Sequence, residues 1–285
     1  MVYSRRDFGK FALAAIPAAR ALAAQINSRF NGVLIGAQTY SFRDMPLDAA
    51  IDAMKKIGFG SCELFQGHVE PKLEGAELRD WRLTTPMDYF ADIRRKFDAA
   101  GIRIFAYTLN FRDNFTDEEI DRGFQQTKAL GTDLITTSTT LTCARRLVPG
   151  AEKYKMRVAM HGHDKTDEPN EFSKPESFAK AMEMSPRFCV NLDIGHFTAA
   201  GYDPVEYIRD HHDKVVVLHI KDRRKNHGPN MPFGEGETNI KGVLQLLKTN
   251  RWDIPADIEY EYGKPGLDTL VEVSKCFQYC KDALV

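Results

Sequence analysis

Short apolar runs along this chain repeatedly end in side chains that can bind a cation or move a proton. Gln38 and Tyr40 close the run from Val33, and Glu63 stands inside Ser61–Phe65. His161 closes the run from Arg157, with His163 two residues on. Asn191 and Asp193 end the run from Phe188, His219 and Lys221 the run from Lys214, and Asp257, Glu259 and Glu261 alternate from Ala256. Residues two apart in a strand share a face. An unpaired charge is costly to bury, so strand ends that all carry polar groups predict a shared partner. Asp193, His219 and Glu259 supply two carboxylates and one imidazole, a donor set suited to Mn²⁺, Mg²⁺, Co²⁺ or Zn²⁺. Taken singly, Asp193 reads as a helix cap and each histidine as a satisfied core residue; their combination on consecutive strands is what predicts a metal. An imidazole such as His161 or His163 can bind a metal or shuttle a proton.

The elements that must position these residues alternate strictly. Strands are predicted at Val33–Tyr40, Ser61–Phe65, Ile102–Tyr107, Asp133–Thr137, Arg157–His161, Phe188–Asp193, Lys214–Lys221 and Ala256–Tyr260. Helices are predicted at Pro46–Ile57, Met87–Ala100, Asp117–Leu130, Leu141–Tyr154, Pro175–Met184, Pro204–Asp210, Ile240–Thr249 and Leu267–Ala283. Phe90, Ile93 and Phe97 lie at helical spacing, and Thr116 with Glu119 forms a capping box before the Asp117 helix. Strict alternation implies parallel strands with right-handed crossovers. Eight units in about 250 residues imply a closed (β/α)8 barrel, α/β in class and a single domain over residues 30–285. The residues named above then gather on the C-terminal rim, where such barrels place their chemistry. The stretch Gln66–Pro86 is predicted irregular and belongs to that rim. No Gly-x-Gly-x-x-Gly turn follows the first strand, which disfavours an open dinucleotide-binding sheet.

Net charge is -1, from 39 Lys and Arg against 40 Asp and Glu, so a backbone-tracking nucleic-acid binder is not expected. Lys221–Lys225 is a local basic run with an acidic residue inside it. The five cysteines have irregular spacing and predict small core residues rather than a disulfide framework. At the N-terminus, Arg5-Arg6-Asp7-Phe8 precedes the apolar run Phe11–Ala19 and Ala21-Leu22-Ala23. Charge, apolar run and small-residue cleavage site in that order predict a signal peptide over residues 1–24, too short to span a bilayer. Its arginine pair resembles a twin-arginine export signal. The mature chain is therefore expected in the periplasm or outside the cell, without a membrane span; a basic Ala-rich helix of a cytoplasmic protein is the alternative.

Asn191–His196, Leu218–Arg223, Phe233–Gly236 and Asp257–Glu261, preceded in order by Gly36–Arg43 and Cys62–Leu64, resemble the xylose-isomerase-like TIM barrels. Within them, these motifs are similar to the sugar phosphate isomerase/epimerase group over nearly the whole mature chain. The resemblance implies that Asp193, His219 and Glu259 bind metal. It implies that His196 contacts substrate oxygens, that Gln38, Tyr40 and Glu63 line the substrate pocket, and that Lys221 faces the pocket beside His219. An ion pair of Lys221 with Asp193 or Glu259 is the other reading, and Glu261 either points inward or pairs with a rim cation. The chain departs from the family pattern at the end of strand five. Many members carry a Glu there, as fourth ligand and acid/base, where this chain has His161 followed by His163. His161 as ligand, His163 as base, or both on substrate remain open. The expected activity is metal-dependent isomerisation or epimerisation of a free sugar or sugar derivative by proton transfer next to a carbonyl, with Glu259, His163 or His161 moving the proton and Lys221 assisting. A metal-dependent dehydratase or lyase acting on a keto-sugar or inosose-like polyol is the alternative, followed by a non-catalytic sugar-binding barrel. The superfamily's endonucleases need more metal ligands and a basic groove, neither of which is evident. The expected partner is a small-molecule sugar, and the oligomeric state stays open, a homo-oligomer included.

Overall fold

Each of the eight apolar runs forms a strand buried along most of its length, and a computed structural model describes them within residues 24–263 and 266–285. The strands are β1 (Val33–Gln38), β2 (Ser61–Phe65), β3 (Arg103–Thr108), β4 (Leu134–Thr137), β5 (Arg157–His161), β6 (Phe188–Asp193), β7 (Val215–Ile220) and β8 (Ala256–Ile258). All neighbours are parallel, and β1 pairs with both β2 and β8, which closes the barrel. A short strand at Arg29–Phe30 folds back antiparallel on the start of β1. The predicted signal peptide lies outside the described residues except for Ala24. Among the described residues, no helix is long and apolar enough to cross a membrane.

The helices are α1 (Leu47–Ile57), α2 (Gly75–Thr84), α3 (Met87–Ala100), α4 (Asp117–Ala129), α5 (Leu141–Tyr154), α6 (Pro175–Met184), α7 (Ile194–Ala199), α8 (Pro204–His211), α9 (Ile240–Asn250) and α10 (Thr269–Ala283). The Thr116/Glu119 capping box opens α4 as the sequence predicts. Phe90, Ile93 and Phe97 of α3 are buried, so the apolar stripe faces the strands. The main core fills the space between helices and strands. Ala106, Leu134, Ala159 and Cys189 form a separate small cluster. These four lie two residues before Thr108, Thr136, His161 and Asn191, and so belong to the inward face of their strands. All five cysteines are free and buried.

Three local expectations need correction. The stretch Gln66–Pro86 is not irregular, because it contains α2. None of the α2 residues is buried, so the helix lacks the apolar stripe that periodicity detects. It is tied down by charge instead: Arg82 pairs with Glu70 at 2.6 Å and Glu119 at 3.2 Å, and Arg79 with Glu119 at 3.1 Å. Strand one ends at Gln38, where the chain turns into a 3-10 helix over Thr39–Phe42, so Tyr40 does not share a strand face with Gln38. Strand eight stops at Ile258, and Glu259 and Glu261 sit on the segment leaving the barrel.

Candidate active site

Register sets the depth of the site. β7 places His219 beside Asp193 of β6 and beside Asp257 of β8, and β1 places Gln38 beside Glu63 of β2. His161 is level with Asn191. Glu259, two residues beyond Asp257, rises to the rim above it. His161, Asp193, His219 and Glu259 are all buried, and one ligand atom from each lies within 4.8 Å of the others.

Two observations show that this cluster fits a cation. His161 Nδ1 and Asp193 Oδ2 are buried and have no hydrogen-bond partner, although such atoms are nearly always satisfied. Burial first, then the neighbouring His219, hold the His161 pKa well below the usual imidazole value, which keeps a lone pair available. Asp193 uses its other oxygen. Oδ1 caps α7 by accepting the His196 backbone N–H at 2.7 Å, leaving Oδ2 toward the cluster. The cap reading and the ligand reading of Asp193 therefore describe different oxygens of the same residue.

His219 is held from both sides. Its Nδ1 lies 3.0 Å from Glu259 Oε2, and its Nε2 lies 3.0 Å from both Glu63 oxygens. Burial pulls the His219 pKa down, but the Glu63 and Glu259 charges outweigh it and raise it well above the usual value. The structure places Glu63 beneath His219 rather than in the pocket lining that the resemblance implied. Its carboxylate is fully buried, and Oε1 accepts from Gln38 Nε2 at 2.6 Å, Thr108 Oγ1 at 2.6 Å and Thr136 Oγ1 at 2.7 Å. Gln38 donates its amide hydrogens to Glu63 and Thr108 and accepts the Tyr40 N–H at Oε1, so it supports the floor of the site. Such carboxylate–histidine pairs orient metal-binding imidazoles. Deeper still, burial and then the Glu63 charge raise the Asp257 pKa well above the usual carboxylate range. Gly36 faces it across the β1–β8 pair, and a Cβ there would overlap Asp257 Oδ1.

Lys221 satisfies both of its sequence readings. It lines the cavity, and its ammonium lies 2.9 Å from Asp193 Oδ2, 2.8 Å from Glu259 Oε2 and 2.6 Å from Glu261 Oε2. The Asp193 contact is an ion pair without hydrogen-bond geometry. Burial opposes the Lys221 charge, but the three carboxylates outweigh it and raise its pKa. The same ammonium, with His219, offsets burial at Glu259 and holds that pKa well below the usual value. Gly195 permits the arrangement, since a Cβ there would come 2.8 Å from Lys221 Cγ.

These groups open into a rim cavity of about 300 Å³, also lined by Tyr40, Phe65, His163 and His196. Its size suits a small polar ligand. A wider groove of about 800 Å³ between α5 and α6 carries no such cluster. Tyr40 packs edge-on against Phe65, with ring centroids 5.0 Å apart. His163 Nδ1 lies 3.4 Å from Glu171 Oε2. His196 is gripped by cations at both nitrogens, Arg223 Nη1 at 2.6 Å from Nδ1 and Lys221 Nζ at 3.1 Å from Nε2. Burial first, then Lys221, lower the His196 pKa. Asp164 completes this group, 3.0 Å from Arg223 and 3.5 Å from His196. Sequence reasoning missed Asp164, Arg223 and Glu171: Asp164 and Arg223 meet across separate loops, and Glu171 meets His163 eight residues away within one loop that has no periodic structure.

A family model described as xylose isomerase-like TIM barrel matches residues 51–280. The chain belongs to the xylose isomerase-like TIM barrel family. This family member is 28% identical over 112 residues to the L-ribulose-5-phosphate 3-epimerase UlaE of Escherichia coli, and the match covers 39% of each chain. Its fold is similar to that of the probable 3-DHS dehydratase AsbF of Bacillus anthracis, with TM-score 0.64 and 16% identity over 85% of this chain and 97% of that one. It is also similar to an IOLI protein solved with a binding zinc atom, with TM-score 0.64 and 17% identity over 88% of this chain and 98% of that one. At these identities the two structures show the shared fold of this xylose isomerase-like barrel.

Proposed function

We propose that this xylose isomerase-like barrel is a divalent-metal-dependent isomerase or epimerase that moves a proton next to the carbonyl of a sugar or sugar derivative. The observation that carries the reading is the cluster of His161, Asp193, His219 and Glu259, whose ligand atoms lie within 4.8 Å of one another, beside a polar cavity. These four residues would hold Mn²⁺, Mg²⁺, Co²⁺ or Zn²⁺, and the zinc in the IOLI protein supports the borderline end of that series. A cation bound there polarises a carbonyl and its neighbouring hydroxyl, stabilising the charge that builds as the adjacent proton leaves.

The chain's own residues supply the rest. His163 carries the proton: it lines the cavity, stands outside the cluster, and has its Nδ1 against Glu171 at 3.4 Å, so Nε2 is the nitrogen left for substrate. Lys221 faces the substrate oxygens with His196 positioned against its ammonium, and Tyr40 with Phe65 forms an aromatic wall. The test is exchange of a substrate C–H proton with deuterated water, followed by NMR on the Mn²⁺-loaded protein across ketoses, aldoses and keto-sugars. Exchange that chelator abolishes is expected, and no exchange across the panel would sink the proposal.

One observation favours a second reading, a dehydratase or lyase. Epimerisation needs a proton carrier on each face of the carbon. Here His161 stands in the cluster, both His196 nitrogens face cations and Glu261 is paired with Lys221, which leaves His163, among the described residues lining the cavity, as the base outside the cluster without a cation against it. A single base suffices for elimination, and the likeness to AsbF points the same way. The same incubations separate the two, since elimination leaves an unsaturated product with new ultraviolet absorbance. The Arg5-Arg6 segment further supports an exported mature chain. Arg5→Lys with Arg6→Lys is expected to retain the protein in the cytoplasm, and unchanged periplasmic recovery in cell fractionation would refute that placement.

A further inference from the structure

The cavity has two chemically different sides. One holds the cation cluster with Lys221 and Glu261, from β5 to β8. The other is formed after β3 and β4 by Asn110, Arg112 and Ser138. In an eight-stranded barrel β3 lies across from β7 and β4 across from β8, so this second side faces His219, Lys221 and Glu259.

The second side offers hydrogen-bond donors: a guanidinium, an amide NH₂ and a hydroxyl. Asn110 Oδ1 accepts the Ser138 backbone N–H at 2.8 Å, which orients the amide and leaves its NH₂ without a partner among the described residues. The Asn110 backbone N–H is held by Gln66 Oε1, so the loop that carries the group is anchored. Arg112 is exposed at the cavity wall, and no carboxylate among the described residues lies within ion-pair distance of it. The adjacent Asp113 does not neutralise it, because its two oxygens accept from the Thr140 and Thr142 hydroxyls at 2.9 and 2.8 Å. The other cations at the cavity are matched, Lys221 by three carboxylates and Arg223 by Asp164.

We propose that Arg112, with the Asn110 amide and the Ser138 hydroxyl, binds a carboxylate of the substrate at the end remote from the cation cluster. The substrate class is then a sugar acid or related polyhydroxy keto acid. This deepens the metal-dependent proton transfer proposed above and rests on it for the orientation of the ligand. A single free guanidinium matches one carboxylate, which it can grip with two parallel hydrogen bonds. A phosphate dianion would keep much of its charge unmatched, in a cavity that already carries Glu259 and Glu261.

The experiment measures calorimetric affinities of the Mn²⁺-loaded full chain for matched ligands: uronates and aldonates, their parent neutral sugars, and the corresponding sugar phosphates. At least one carboxylated member should bind about 10- to 100-fold more tightly than its parent, as hydrogen bonds to charged groups allow. Arg112→Gln should bring that ratio toward one. Among the described residues Arg112 makes no side-chain hydrogen bond or ion pair that folding would miss, and an unchanged melting temperature checks this. Equal binding of acids and parents, a preference for phosphates, or an undiminished ratio in Arg112→Gln would overturn the assignment. The preference is read without turnover. A carboxylate preference that Arg112→Gln removes, found with no proton exchange in any incubation, would refute the isomerase reading and leave the anion site standing.

Discussion

Asp193→Asn is expected to fold normally, to bind Mn²⁺ or Zn²⁺ at least about 100-fold more weakly, and to lose metal-supported turnover by about 1,000-fold, the scale of a missing electrostatic stabiliser. The amide keeps an oxygen for the α7 cap, where Asp193 Oδ1 accepts the His196 N–H at 2.7 Å, so the helix start is preserved. What changes is the second atom. Oδ2 is buried, has no hydrogen-bond donor and sits in the cation cluster, and in Asn an NH₂ group replaces it. That NH₂ brings donor hydrogens toward the Lys221 ammonium, now 2.9 Å from the oxygen it replaces. Titration calorimetry with the metal and melting curves in chelator separate the effects. Wild-type metal affinity in Asp193→Asn would remove Asp193 from the ligand set.

Glu63 is the second position where one substitution should have a large effect, although it does not line the cavity and touches the cluster only through His219. Glu63→Gln keeps the shape but replaces one acceptor with a donor beside His219 Nε2, Gln38, Thr108 and Thr136. Loss of such a supporting carboxylate costs about 10- to 100-fold in metal affinity. Glu63→Ala removes the acceptor altogether and leaves several buried donors unpaired, at a cost of about 3–5 kcal/mol in folding stability, as for other broken buried pairs. Denaturant unfolding of the metal-free protein measures the second effect, and metal titration of Glu63→Gln the first. If Glu63→Gln binds metal as tightly as wild type, Glu63 holds the barrel together but does not tune His219.

The barrel was legible because its evidence is local. Apolar runs of strand length, alternation with amphipathic helices and the Thr116/Glu119 box each need only neighbouring residues. The candidate ligands were legible for the same reason: period-two alternation assigns Asp193, His219 and Glu259 to the inward face, and inward polar groups are costly enough to stand out. The helix α2 escaped because its anchors, Glu70 and Glu119, lie outside it and hold it by charge, and α7 escaped because one short turn capped by Asp193 leaves no periodic signal.

Alternation along the chain thus determined which face Gln38, Glu63, His161, Asp193 and His219 take, and the donor types determined what could bind there. Depth along the barrel axis came only from register between strands. Gln38 and Glu63 share the inward face with His219, yet the pairing of β1 with β2 sets them at the floor, where Glu63 holds Gln38 and His219 from below and Gln38 lines the bottom of the cavity. The meeting of Lys221 with three carboxylates and of Asn110 with Ser138 likewise awaited the fold, because each joins separate loops. Closure of the sheet brings those loops together, and no spacing within one segment encodes it.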